Sequence, residues 1–214
     1  MNEGIIEGFN RAQLTDETLV KMRESSARDV DNLPIIRENS AALYRFLITA
    51  LKPLCLLETG TCRGYSAILA AKTAASYTDS FKCYTVELDS VNAQEAIKNI
   101  AAEGLTEHIK VIHGDAAEVL ASLSGQFDMI FLDSSKSHYA EMLPDVKRLL
   151  RRGGVLIADD IAYYGKTEAG EVPHKHRTIV NSLRAFIRQI SEDEDFTAVI
   201  DTTDDGMLLA VKLI

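Results

Sequence analysis

The 214-residue chain is 46% hydrophobic and 26% charged, the balance of an ordinary globular protein long enough to bury a sizeable core. Its formal net charge of -9 disfavours a partner held mainly through phosphates, such as duplex DNA. No run approaches the roughly 20 apolar residues of a membrane-spanning helix, and the start, M-N-E-G-I-I-E-G-F, lacks a basic leader with an apolar core. Cys55, Cys62 and Cys83 are odd in number and lack C-x-x-C spacing, which argues against a disulfide framework or a cysteine zinc site. A reducing, cytoplasmic setting is the expectation.

Residues 1–32 are polar and acidic, with Leu14, Leu19, Val20 and Met22 as scattered apolar points. Thr15-Asp16-Glu17 resembles a helix start, and one amphipathic helix is predicted over 15–29, broken by Leu33-Pro34. Ala42, Leu43, Phe46, Leu47, Ala50 and Leu51 follow helical spacing over 38–52, and Pro53 closes that segment. From there the pattern alternates. Strands are expected at 54–58, 83–87, 109–113, 129–132 and 155–158. Helices are expected between them at 66–75, 93–103, 116–123 and 139–150, with another at about 176–190. Two last strand-like runs, 196–200 and 207–213, are separated only by turn-prone residues, too short a gap for a helical crossover, so they form a hairpin. The expected architecture is a single α/β domain, a doubly wound and mostly parallel sheet of seven strands ending in an antiparallel hairpin. Residues 1–52 would form a helical extension and 53–214 the core.

The chemistry concentrates at strand ends, where open α/β sheets bind ligands. After the first strand comes E58-T-G60-T-C-R-G64-Y-S66. Gly60 and Gly64 permit a tight turn, and the helix that follows favours an anion at its N-terminus. The middle glycine of a dinucleotide fingerprint is missing, so a nucleoside with a carboxylate fits better than a pyrophosphate. Glu87 ends the second strand, where an acidic side chain either accepts both ribose hydroxyls or is a solvated surface group. Asp115, in Gly114-Asp115-Ala116, caps the next helix, hydrogen-bonds an adenine amino group, or does both.

The buried-strand run Met129 to Leu132 ends in Asp133, and the next ends in Asp159 and Asp160. Three like charges at neighbouring strand ends repel unless a cation neutralises them, and an all-oxygen set suits Mg²⁺. The bland alternative is that Asp160 points away, because neighbouring strand residues face opposite sides. Lys136 is either a surface ion-pair partner or, close to a divalent cation and with its pKa lowered, a general base. His174 and His176 are too closely spaced to share one helix face. With Lys175, Arg177, Arg184 and Arg188 they form the local basic concentration, a solvated face or a contact for substrate or RNA.

Taken together, L33-P-I-I36, E58-T-G-T-C-R-G-Y-S66, Glu87, G114-D-A116, F127-D-M-I-F-L-D-S-S-K-S-H-Y139, G153-G-V-L-I-A-D-D160 and D204-D-G-M-L-L-A210 resemble one family. It is the cation-dependent, S-adenosylmethionine-dependent O-methyltransferases of the catechol and caffeoyl-CoA type, and the resemblance covers residue 33 to the end. It implies a Rossmann-like class I methyltransferase fold and methyl transfer to a hydroxyl of a small catechol-like or phenolic acceptor. By that resemblance Glu58, Gly60, Thr61, Gly64 and Ser66 belong to the cofactor turn, Glu87 binds the ribose, and Asp115 with Ala116 borders the adenine. Asp133, Asp159 and Asp160 would hold a divalent cation, Mg²⁺ first, with Asp133 also near the cofactor amino group and Lys136 accepting the proton. Homodimers are frequent in the family. The chain departs from the family in three places: Asp160 replaces the usual Asn, Ser135 stands where plant caffeoyl-CoA enzymes carry an Asp, and Thr59 replaces an apolar residue. The segment around Arg177 and the D-G-M-L-L-A ending are also similar to enzymes that methylate 5-hydroxyuridine in tRNA. A nucleotide-dependent oxidoreductase and a non-catalytic binding protein are the rival classes.

Overall fold

The computed structural model describes residues 4–28 and 35–214. After α1 (Ile5–Ala12), α2 (Glu17–Arg28) and α3 (Glu38–Leu51), strands and helices alternate. They run β1 (Cys55–Thr59), α4 (Tyr65–Ala74), β2 (Lys82–Glu87), α5 (Ser90–Ala102), β3 (Ile109–His113), α6 (Ala116–Ser122), β4 (Phe127–Leu132), α7 (Tyr139–Leu149) and β5 (Leu150–Ala158). The chain ends with α8 (Arg177–Glu192), β6 (Phe196–Asp201) and β7 (Met207–Lys212). All seven strands join one sheet in the order β3-β2-β1-β4-β5-β7-β6. β1 to β5 are parallel, and β7 enters antiparallel between β5 and β6. The expected seven-stranded sheet with a terminal hairpin is the one observed.

The strand sequences explain the two-sided burial. Met129 and Phe131 of β4 face one layer, with Leu56 and Ile157 beside them and Tyr44 and Ile48 of α3 packed over them. Ile130 and Leu132 face the other, joined by Leu57, Leu156 and Leu183 and Phe186 of α8. Each such buried Leu, Ile or Phe contributes about 1.5–3 kcal/mol. Tyr44 stacks on Phe131 with ring centroids 4.6 Å apart. α3 is therefore part of a covering layer, and the boundary at residue 53 divides the chain without dividing the core.

Several element limits differ from expectation. α1 was not expected: it is only eight residues long, and its described apolar residues Ile5 and Phe9 are exposed. α2 starts at Glu17, where the Asp16 carboxylate caps the backbone N–H of Thr18 and Leu19; residue 29 and the Leu33-Pro34 break lie outside the described residues. α5 begins three residues earlier than predicted because Asp89 caps Val91 and Asn92. β5 begins at Leu150, where a shifted register against β4 carries Gly153 and Gly154 within the strand.

Candidate active site

The sheet order reverses between β1 and β4, and this is where the functional candidates meet. The ladder continues one residue past each strand: Asp133 N–H donates to the Thr59 carbonyl at 2.9 Å, and Asp159 N–H to the Leu132 carbonyl at 3.0 Å. Adjacent strand ends thus set Gly60, Asp133 and Asp159 side by side.

Gly60 has φ +91°, and a Cβ there would fall 2.1 Å from the Asp133 carbonyl oxygen. Only glycine lets the two strand ends approach so closely. Gly64, with φ +89°, starts α4 and packs towards Ala96 of α5; it lines no cavity of the site. Beneath the turn, Thr61 and Thr85 hydroxyls are 2.6 Å apart, and Thr85 donates to Glu58 at 2.5 Å. Burial pushes the Glu58 carboxyl up to about 7, against hydrogen bonds from Ser66 and Thr85, while Asp133 and Glu87 add repulsion. Because the folded pKa lies above the unfolded one, this group's contribution to stability is full at low pH and is lost as pH rises towards 7. Glu58→Gln is therefore expected to stabilise the ligand-free protein at pH 8 by about 2 kcal/mol, and to leave it unchanged at pH 4, in urea unfolding.

A cavity of about 650 Å³ runs from Asp115 and Ala116 past Glu87 and Gly60 to Asp133, Lys136, Asp159 and Asp160. A second of about 240 Å³ adjoins it under α2, lined by Thr61 and Ser66. Glu58 lines neither; it lies buried beneath the turn, bonded to Thr85. Glu87 accepts from Cys62 N–H at 2.7 Å and from Asp89 N–H at 2.9 Å, so it shapes the glycine turn as well as facing the cavity. Asp115 caps α6 by accepting from Ala117 and Glu118 and also lines the cavity, which makes its two expected roles compatible.

Asp133, Asp159 and Asp160 each place a carboxylate oxygen within 4.8 Å of the others. Asp160 does not point away: its backbone is left-handed, φ +55°, which breaks the strand alternation and turns it to the side of Asp159. Asp159 is 2% exposed, and its Oδ1 has no hydrogen-bond partner. Burial first, then repulsion from Asp133 and Asp160, pushes its carboxyl up to about 8. A buried oxygen without a donor, in a cluster of hard oxygens, fits a hard cation.

Lys136 lies 2.9 Å from Asp133 and 3.4 Å from Asp160. Burial opposes its charge, but Tyr139, Asp133 and Asp160 outweigh burial and hold the ammonium well above the ordinary lysine range. The lowering was expected beside a divalent cation; with the carboxylates alone around it, the charged form is favoured instead.

Sequence reasoning missed Arg37 and Tyr164. Arg37 Nε is 4.0 Å from Asp160 and its guanidinium 3.9 Å from Asp205, and both Arg37 and Tyr164 line the large cavity. Tyr164 N–H donates to Asp205 at 2.6 Å, and Asp204 accepts from Ser40 N–H at 3.0 Å, so the β6–β7 turn fastens both the loop after β5 and the start of α3. The D204-D-G segment carried that signal only as part of a motif. The basic segment serves the same loop. Arg177 donates to the Val172 carbonyl, Arg184 to those of Thr167 and Ala169, and the His176 ring meets the Tyr163 hydroxyl.

An O-methyltransferase family profile matches residues 10–213. The chain belongs to that family. Among curated relatives, a catechol O-methyltransferase of Niastella koreensis is 33% identical over 135 residues, covering 61% of this chain and 60% of that protein. One of Mycobacterium tuberculosis is 31% identical over 140 residues, 64% of this chain and 62% of that protein. The chain therefore matches about three fifths of the length of each. Among solved structures, the O-methyltransferase TomG from Streptomyces achromogenes, in complex with SAM, superposes with TM-score 0.85 at 24% identity, over 98% of this chain and 96% of that one. That likeness supports the fold. Among the described residues no helix is long and apolar enough to cross a membrane.

Proposed function

We propose that the chain is an S-adenosylmethionine-dependent O-methyltransferase that uses a divalent cation, Mg²⁺ first, to methylate a hydroxyl of a small aromatic acceptor. The observation that carries this reading is a single cavity lined by the glycine turn, Glu87 and Asp115 at one end and by the three-aspartate cluster at the other. Its order suits a nucleoside followed by an amino-acid chain. Glu58, Gly60, Thr61 and Ser66 would serve the methionine portion, Gly64 the turn, Glu87 the ribose, and Asp115 with Ala116 the adenine. S-adenosylmethionine supplies the electrophilic methyl group. A cation at Asp133, Asp159 and Asp160 would lower the pKa of an acceptor hydroxyl and fix its position. Lys136 is assigned to accept the hydroxyl proton; only neutral lysine can do so, so this role requires Asp133 and Asp160 to be neutralised by other positive charge. The names of the two catechol O-methyltransferases favour a small phenolic acceptor. So does the use of Arg177 and Arg184 as loop fasteners, which leaves less basic surface for RNA.

The test is transfer of labelled methyl from S-adenosylmethionine to catechol, other phenols and hydroxyuridine-containing tRNA, with Mg²⁺ or with EDTA. Cation-stimulated methylation of a phenol is expected; tRNA as the sole acceptor would move the assignment to RNA, and full activity in EDTA would remove the metal. Thermal shifts are expected with S-adenosylhomocysteine and not with NAD⁺ or NADP⁺, and the reverse would favour an oxidoreductase. Light scattering tests the dimer that the family resemblance implies.

A further inference from the structure

We propose that Arg37 is an exchangeable counter-charge: it pairs with Asp160 while the carboxylate cluster lacks a cation, and Asp205 retains it when a cation takes Asp160. The inference rests on the metal reading above and concerns this chain's own residues.

Asp133, Asp159 and Asp160 converge within 4.8 Å, and among the described residues Lys136 and Arg37 form ion pairs with them. Lys136 holds Asp133 and Asp160 at 2.9 and 3.4 Å. Arg37, at the N-cap of α3, reaches Asp160 at 4.0 Å. Even with all three carboxylates ionised, the two cations leave the group of five at most a single net negative charge, a weak attraction for a divalent ion. One of the two must yield. The Lys136 side chain is only 16% exposed and rests on two of the three aspartates. That of Arg37 is 44% exposed and spans Asp160 and Asp205, with a further contact to the face of Tyr164 at 5.7 Å. Leaving Asp160 therefore strands neither the guanidinium nor a buried carboxylate. Asp205 is placed for this by the same turn that fixes the loop carrying Asp160: Ile161 N–H donates to the Gly206 carbonyl at 3.1 Å and Ala162 N–H to that of Asp205 at 2.8 Å. The second partner of Arg37 thus moves with the first. An aspartate at position 160 and an arginine at 37 then form one device, which makes the cluster tolerable when empty and moderates its hold on the ion.

Titration calorimetry of the full chain with MgCl₂ and MnCl₂ tests the exchange. Arg37→Ala is expected to tighten cation binding roughly fivefold, the scale of one exposed ion pair. In an Asp160→Asn background the same substitution should change affinity by less than about twofold. Asp205→Asn, which keeps an oxygen for Tyr164 N–H, should weaken binding when Arg37 is present and have no effect in Arg37→Ala. Unchanged or weaker binding by Arg37→Ala, or an equal gain in Asp160→Asn, would overturn the proposal. A metal-free readout separates it from the metal assignment: in EDTA, Arg37→Ala should lower the melting temperature, and less so with Asp160→Asn. No loss there rules out the counter-charge. If that coupling is present but wild type binds neither ion, the metal reading fails and the exchange with it, while the Arg37–Asp160 pair stands.

Discussion

Asp159→Asn is expected to abolish cation-stimulated methyl transfer, lowering kcat/KM by roughly 10³-fold or more, the several kcal/mol that a bound metal supplies. The same variant should be at least as stable as wild type when cation-free, with a melting temperature in EDTA higher by a few degrees, about 1 kcal/mol. The two signs differ for one physical reason. Asp159 is buried, its Oδ1 has no donor, and Asp133 and Asp160 lie within 4.8 Å, so its charge is a liability to the empty fold. Asparagine removes that charge and with it one ligand for a hard cation. Activity assays with titrated Mg²⁺ and melts in EDTA check the pair. A variant that keeps Mg²⁺ stimulation would take Asp159 out of the metal site.

Gly60→Ala is the second large effect. The added methyl would sit 2.1 Å from the Asp133 carbonyl oxygen and 2.6 Å from its carbon, at φ +91°, so β1 and β4 would have to part just where turn and aspartates meet. A stability loss of more than about 3 kcal/mol is expected, since backbone strain and overpacking add. Binding of S-adenosylhomocysteine should weaken by at least about 100-fold, nearly 3 kcal/mol. Gly104 offers the control: its φ is +69° but a Cβ there meets nothing within 4 Å. Gly104→Ala should cost only about 1 kcal/mol and spare ligand binding. Urea unfolding and calorimetry distinguish the two, and equal losses would show that positive φ alone, not the close approach, is at stake.

The alternation of apolar strands with amphipathic helices made the sheet legible, because burial on both faces forces continuous runs such as Met129 to Leu132. Turn-prone residues 201–206, too few for a helical crossover, made the hairpin legible. Helix starts were uneven: Thr15-Asp16-Glu17 announced α2, whereas Asp89 is an ordinary acidic residue until its carboxylate meets the next N–H groups. α1 is only eight residues long and leaves Ile5 and Phe9 exposed, so its apolar spacing marks no buried face among the described residues.

At the site, residue type and strand-end position were sufficient to select Gly60, Glu87, Asp115, Asp133, Lys136, Asp159 and Asp160, all of which line one cavity. The sequence by itself determined which groups stand at or near the carboxyl ends of the strands, since the apolar runs stop there. Tertiary structure alone decided the rest. A left-handed backbone turned Asp160 towards Asp159. Asp133 and Asp160 closed on Lys136 and, with no cation between them, favour its charged form. Arg37 and Asp205, far apart along the chain, met at Asp160 through the packing of α3 against the β6–β7 turn. Periodicity is a local property, whereas charge compensation depends on distance in space, and no pattern along the chain records it.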